Sequence, residues 1–164
     1  LLEEFDKLFS SLFKNSEAYI DIVKIIAAHR YGIGKSALFS QLGKKHFGKG
    51  GVEKLKALKD AGFIMEFKPH FHKEKGNYFK LIDYYTLFYL HWIMPVRDTL
   101  LKKSLVRGYW DKLKVKNAWN IWAGLAFEAI CYDHLPQIVR ALSLSPTAIP
   151  DSWRYVPRKK DCKE

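Results

Sequence analysis

Gly32-Ile33-Gly34-Lys35-Ser36 carries the residue types of a phosphate-cradling loop, in which backbone amides surround phosphate, lysine meets the outer phosphates and serine meets magnesium. The full pattern needs another glycine five residues before Gly34, and His29 stands there. A helix is expected ahead of the segment where the motif requires a buried strand, so a tight turn between helices is the better reading. A second group is richer. Lys44, Lys45, Lys49, Lys54, Lys56 and Lys59 face only Glu53 over residues 44–59, a net charge of +5. The following connection adds His72, Lys73 and Lys75. Lysines in such a set bind phosphates through charge, whereas base reading calls for Arg, Asn or Gln, which the Gly51–Gly62 helix expected here lacks. Nucleic acid bound here would be held with weak sequence preference. A solvated lysine face on a domain that packs against protein carries equal weight, because charge runs commonly just keep surfaces wet.

Glu128 is the one charge in the apolar run Ile121–Cys131, and it shares an i, i+4, i+8 seam with Asn120 and Gly124, where glycine would permit close backbone approach. An isolated buried carboxylate is costly, so it needs a wet edge or a partner, and a structural role is expected. Cys131 and His134 fit one helical turn but lack two further zinc ligands, and His70 and His72 read as loop residues. No nucleophile-base-acid triad can be assembled. Trp119, Trp122 and Phe127 could stack bases if exposed, but at helical spacing in an apolar run they are expected in the core.

The elements that must position these groups follow from periodicity. Leu1, Phe5, Leu8, Phe9, Leu12 and Phe13 form one stripe of a first helix over residues 1–14, net charge −1. Ser16 is placed to cap a second helix through Ala28, with Tyr19, Ile22, Val23 and Ile26 inward. Tyr31-Gly32-Ile33-Gly34 is a turn, and a short helix from Lys35 to about Leu42 buries Ala37, Leu38 and Leu42. After the basic turn 43–50, residues 51–62 form a third helix with Val52, Leu55 and Leu58 inward and Gly62 closing it. Residues 63–68 and 77–82 are β-forming runs joined by a turn, a hairpin. Helix, helix, helix, hairpin is the order of a winged helix-turn-helix, and the apolar helix from Tyr84, stopped by Pro95, would close its core. Residues 97–117 carry net +5 and read as a basic linker or solvated face. A long helix from Ala118 should end or kink near Pro136, followed by an apolar stretch to Leu142 and a short strand at Trp153–Val156.

The chain has 164 residues, 28 Lys+Arg against 17 Asp+Glu, a formal charge of +11, 48% apolar and 15% aromatic content. That composition excludes a disordered tail, a coiled coil and a disulfide miniprotein. The most apolar window, Tyr84–Met94, is far shorter than the roughly 20 residues of a membrane span, so no membrane contact is expected. The cysteines Cys131 and Cys162 suggest no disulfide framework, and a cytoplasmic location is the expectation. Opening on Leu1-Leu2-Glu3-Glu4-Phe5 and closing on Asp161-Cys162, the sequence reads as a piece of something longer. The fold class expected is mainly α with a small β-hairpin: a winged helix-turn-helix over 15–96, preceded by the end of another helical unit (1–14) and followed by a linker (97–117) and the start of a truncated second domain (118–164).

Tyr31-Gly32-Ile33-Gly34, Gly50-Gly51 leading to Leu55, Leu58 and Ala61-Gly62-Phe63-Ile64, Lys73-Glu74-Lys75-Gly76-Asn77-Tyr78, and Asp83 to Tyr89 with Trp92-Ile93 together resemble the C-terminal half of the archaeal-type AAA ATPases. Trp119, Trp122-Ala123-Gly124, Ala126-Phe127-Glu128, Ile130-Cys131, His134 and Ser152 to Pro157 resemble the start of their C-terminal domain, which is similar to PD-(D/E)XK nucleases. The resemblance implies that residues 1–14 end an ATPase lid and that Glu128 is the remnant of a metal site whose other ligands would follow Pro157. ATP and magnesium would then belong only to missing parts of the parent. One carboxylate cannot perform phosphodiester chemistry, so this chain is expected to be catalytically silent, with no cofactor of its own. DNA, the preceding ATPase module, another protein or a second copy of the chain are the partners this reading admits.

Overall fold

The computed structural model describes residues 2–43, 49–68, 76–102, 107–145 and 147. The described chain is mainly helical with one small antiparallel sheet. Helix α1 (Glu4–Leu12) and helix α2 (Ser16–Ala28) lead into β1 (Ile33–Gly34), then α3 (Lys35–Leu42), α4 (Lys49–Asp60), β2 (Ile64–Phe67) and β3 (Tyr78–Leu81). The sheet order is β1-β3-β2, with Ile33 opposite Phe79, Glu66 opposite Phe79 and Phe67 opposite Tyr78. The expected hairpin is present. The expected turn at Gly32–Gly34 is also an edge strand, which two residues with no β-periodicity do not announce; β3 supplies its partner.

The core follows the stripes read from sequence. Phe5 and Phe9 of α1, Ile22, Val23 and Ile26 of α2, Leu38 of α3, Leu58 of α4 and Ile64 of β2 are almost fully buried in one cluster. Phe13 stacks on half-buried Tyr19 with ring centroids 4.0 Å apart. Four expectations fail in detail, the first being Leu12, which shares the expected stripe of α1 and is 51% exposed. Val52 is 43% exposed, Ala37 is exposed with Phe39 buried in its place, and Ser16 is the first helical residue, with Asn15 ahead of it making no side-chain cap. α4 begins two residues earlier than periodicity placed it, and steps of three residues drift about 60° each on a 3.6-residue turn, so with Leu55 and Leu58 inward Gly51 takes the buried place and Val52 lies on the flank.

Gly62 (φ +78°) does close α4: its N–H donates to the Lys59 carbonyl and that of Phe63 to the Leu58 carbonyl, both at 3.0 Å, with Leu58 and Phe63 buried together. This is the paired hydrogen-bond termination in which a left-handed residue satisfies orphan carbonyls. Gly32 (φ +86°) serves β1. A Cβ there would lie 2.9 Å from the Phe67 ring and 3.2 Å from the Phe79 carbonyl oxygen, so only glycine lets the chain enter the sheet at this point.

Asp83 caps the next helix, α5 (Tyr84–Phe88), accepting from the Thr86 N–H at 2.7 Å. Pro95 does not stop the helical path. It lacks the N–H that would bond back to His91, and the preceding turn widens into a π-turn over Tyr89–Ile93, where the Met94 N–H reaches the Tyr89 carbonyl. A 3-10 turn (Met94–Val96) then feeds α6 (Arg97–Leu101). Tyr89 is buried, stacks on Phe5 at 4.3 Å and donates its hydroxyl to the Leu2 carbonyl, while Arg97 pairs with Asp6 at 2.8 Å. α1 is thereby fastened to both sides of the turn.

The stretch expected to be a linker or wet basic face contains α6 and α7 (Tyr109–Lys114), whose Leu113 is buried; residues 103–106 lie outside the described residues. α8 (Asn117–Asp133) and α9 (Leu135–Ala141, with Pro136 in its first turn) match the expected long helix and its break. α8 packs on α5. Trp119 and Trp122 meet Trp92 at centroid distances of 5.3 and 6.0 Å, and Tyr84 donates its hydroxyl to Asp133. That acceptor pushes the Tyr84 pKa up to about 12, because the phenolate would lose its hydrogen bond and face a carboxylate. In an alkaline absorbance titration, Tyr84→Phe should therefore remove a transition near pH 12, and Asp133→Asn should bring that transition back toward about 10. With nine tyrosines in the chain, the readout is the difference between the unaltered protein and Tyr84→Phe; a difference centred near 10 would mean that α8 does not dock here. Among the described residues, no helix is long and apolar enough to cross a membrane. The strand expected at Trp153–Val156 lies outside the described residues.

Candidate nucleic-acid interface

α4 turns Leu55 and Leu58 to the core and leaves Val52, Glu53, Lys56, Lys59 and Asp60 exposed, with Lys54 half-buried on the flank. Of the nine residues expected to contact nucleic acid, the described part of the structure fully places three: Lys54, Lys56 and Lys59. Lys49 is the first residue of α4. Lys44, Lys45, His72, Lys73 and Lys75 lie outside the described residues.

The three placed lysines are not equivalent. Lys54 Nζ approaches the Gly50 carbonyl at 3.4 Å, a weak bond that leaves most of its donor capacity free. Lys56 stands on the outermost part of the helix. Lys59 is committed: its ammonium bonds Glu66 on β2 at 2.7 Å, and the other oxygen of Glu66 accepts from the Asn77 side chain just ahead of β3. The Lys59 hydrogen bond, with Asn77 adding to it, holds the Glu66 carboxyl below the usual range. Glu66 thus pins α4 to both strands of the hairpin, and Lys59 positions rather than binds. Sequence spacing could not reveal this, because the partners are separated by 7 and 11 residues across a turn.

Electrostatically, the exposed side of α4 is mixed. Glu53 and Asp60 share it with Lys56, and Lys59 is neutralised by Glu66. Lys35, at the start of α3, and Lys68, just after β2, are basic residues beside the turn end of the hairpin, where the Lys35 N–H donates to the Asn77 carbonyl. The Gly32–Ser36 segment is the β1–α3 junction, preceded by helix α2, and Gly34 sits against the Tyr78 ring.

Glu128 has a partner that sequence reasoning missed. β3 exposes Phe79 and Leu81 to the helical core, and α8 covers its other side. Lys80, on that side, is buried, with its side chain 7% exposed, and its ammonium meets Glu128 at 2.5 Å and lies 5.7 Å from the centre of the Tyr132 ring. Alternation along a strand predicts a wet lysine; only the covering helix makes it a buried one. The expected close approach at Gly124 does not occur, since nothing lies within 4 Å of a Cβ built there. Trp119 and Trp122 are partly buried against Trp92, whereas Phe127, also expected inside, is 66% exposed. Among the described residues no group of three or more His, Cys, Asp or Glu converges as metal ligands would. No protein-family model, curated protein or solved structure matches the chain.

Proposed function

We propose that this chain is a non-catalytic, nucleic-acid-binding module of winged-helix type, engaging the phosphate backbone with weak sequence preference. The observation that carries the reading is the order α2-β1-α3-α4-β2-β3, closed as a sheet with β3 between β1 and β2. In a helix-turn-helix the second helix of the pair enters the groove, and here that is α4, whose outer side is exposed at Glu53 and Lys56. The formal charge of +11 supports a polyanionic partner. Glu53 and Asp60 on the same surface support phosphate contact at the edges of α4 rather than deep base reading.

The resemblance to archaeal-type AAA ATPases extends the proposal to a parent in which this module relays the state of an ATPase to a nuclease-like domain. A second reading, a module that packs against protein, is favoured by Phe127 on α8 and by Leu142 and Leu144 after the end of α9, which stand 66%, 64% and 46% exposed.

A salt titration of duplex DNA binding separates the two. Binding should weaken steeply with salt, and Lys54→Glu/Lys56→Glu should weaken it at least tenfold at about 50 mM salt and reduce the log-log slope by about two. The same exchange at Lys112 and Lys114 of α7 should leave it nearly unchanged. No binding at low salt, or equal loss from both pairs, removes the nucleic-acid reading and leaves the protein-packing one.

A further inference from the structure

A cavity of about 570 Å³ lies between the C-terminal end of α2, the end of β3, the α5–π-turn segment and α8. It is separate from the exposed side of α4, and its size is that of a small-molecule site. Its walls are apolar: Ile26, Leu87, Leu90 and Met94 on one side, Ile121 and Leu125 on the other. Its charges are of one sign. Lys24 and Arg30 are exposed beside it with no ion-pair or hydrogen-bond partner among the described residues, and no Asp or Glu lines it.

The remaining basic groups there are accounted for. Lys80 is matched by Glu128, and His29 spends both ring nitrogens on the Ile25 carbonyl and the Gln41 amide. His91 is held below its usual range, first by burial and then by the nearby Arg30 guanidinium, so it favours the uncharged ring. Trp122, also in the wall, has an indole N–H shielded from solvent with no acceptor among the described residues. Such a donor costs free energy until something accepts from it.

We infer that this cavity binds a small amphipathic carboxylate, its apolar body between α2, the π-turn and α8 and its anionic head at Lys24 and Arg30. A neutral apolar ligand would gain nothing from the two solvated cations, a cationic one would be repelled, and an anionic head is drawn to both. A guanidinium is the better of the two anchors, because its planar donors fit a carboxylate bidentately. Occupancy would bridge α2 to α8, tying the helix pair that precedes the sheet to the helix that covers it.

The test is calorimetric titration of the full chain with octanoate, decanoate and dodecanoate, and with decan-1-ol as the uncharged match. Affinity should rise by about fourfold per added methylene, and decanol should bind at least tenfold more weakly than decanoate. Lys24→Gln/Arg30→Gln, two exposed positions, should erase that preference with circular dichroism unchanged. Leu125→Trp should abolish binding by filling the space. Absence of decanoate binding, equal binding of decanol, or decanoate binding indifferent to the Lys24/Arg30 change would overturn the inference. Should Leu125→Trp fail to fold, the charge variant and the alcohol comparison still decide it.

Discussion

Phe9→Ala is expected to lower the unfolding free energy by about 3–5 kcal/mol, the range for emptying a buried aromatic site. Phe9 is 0% exposed, and its ring lies 4.8 Å from Phe63, 4.9 Å from Phe5 and 6.0 Å from Phe13. These neighbours are Phe5 of α1, Phe13 just past its end and Phe63 just ahead of β2, so the vacancy opens where the first helix meets the sheet rather than on its surface. Collapse around it is resisted on one side by Phe5, itself stacked on Tyr89, and on the other by Phe13, stacked on Tyr19. Urea denaturation followed by near-ultraviolet circular dichroism and by fluorescence should give one coincident transition at a lower midpoint. A loss below about 1 kcal/mol, typical of surface positions, would show that α1 is an attachment to a core that stands without it. Phe9→Leu, which keeps most of the buried area, should cost much less.

Glu128→Leu should destabilise by about 2–3 kcal/mol, somewhat below the range for breaking a fully buried ion pair, because the carboxylate is partly open to water. The loss comes chiefly from Lys80. Its side chain is 7% exposed against 41% for Glu128, so removing the carboxylate strands an ammonium beneath α8, beside the Tyr132 ring. The asymmetry makes a sharper prediction. Lys80→Met/Glu128→Leu should recover most of the stability, since two apolar groups of similar volume need no solvation, and a double-mutant cycle should return a coupling above about 1 kcal/mol. Additive single effects would mean that the pair is not formed in solution and that Glu128 is held for another purpose, such as metal binding. The metal-remnant reading makes the contrary prediction that magnesium stabilises the unaltered chain and not the Glu128→Leu variant.

Much of the helical framework was legible because helices advertise themselves locally. The helical recurrence of Phe5, Leu8, Phe9 and Phe13, or of Ile22, Val23 and Ile26, selects a buried face whatever it packs against, and Gly62 marks an end because a left-handed residue is required there. Boundaries slipped where two signals compete. Lys49 and Gly50 are poor advertisements for a helix start, and the three-residue spacing of Val52, Leu55 and Leu58 drifts round the helix, so Val52 ends on the flank. Pro95 is a breaker locally, yet a widened turn before it lets the chain continue in helical form. Of the candidate interface, the lysine-bearing helix was legible from charge spacing, while the diversion of Lys59 to Glu66 was not.

By itself the sequence determined the helical stripes, the hairpin, the net positive charge and the break at Pro136, since each depends on neighbours within a few residues or on composition alone. Tertiary structure alone decided that Ile33 and Gly34 form a strand, that Lys80 is buried and paired with Glu128, that Phe127 faces water while Trp122 walls a cavity, and that Lys59 holds the hairpin. The physical reason is common to all of these: a two-residue strand, a lysine on an alternating strand or an aromatic on an all-apolar helix takes its burial from whichever distant element covers it, and nothing in its own few residues encodes that cover.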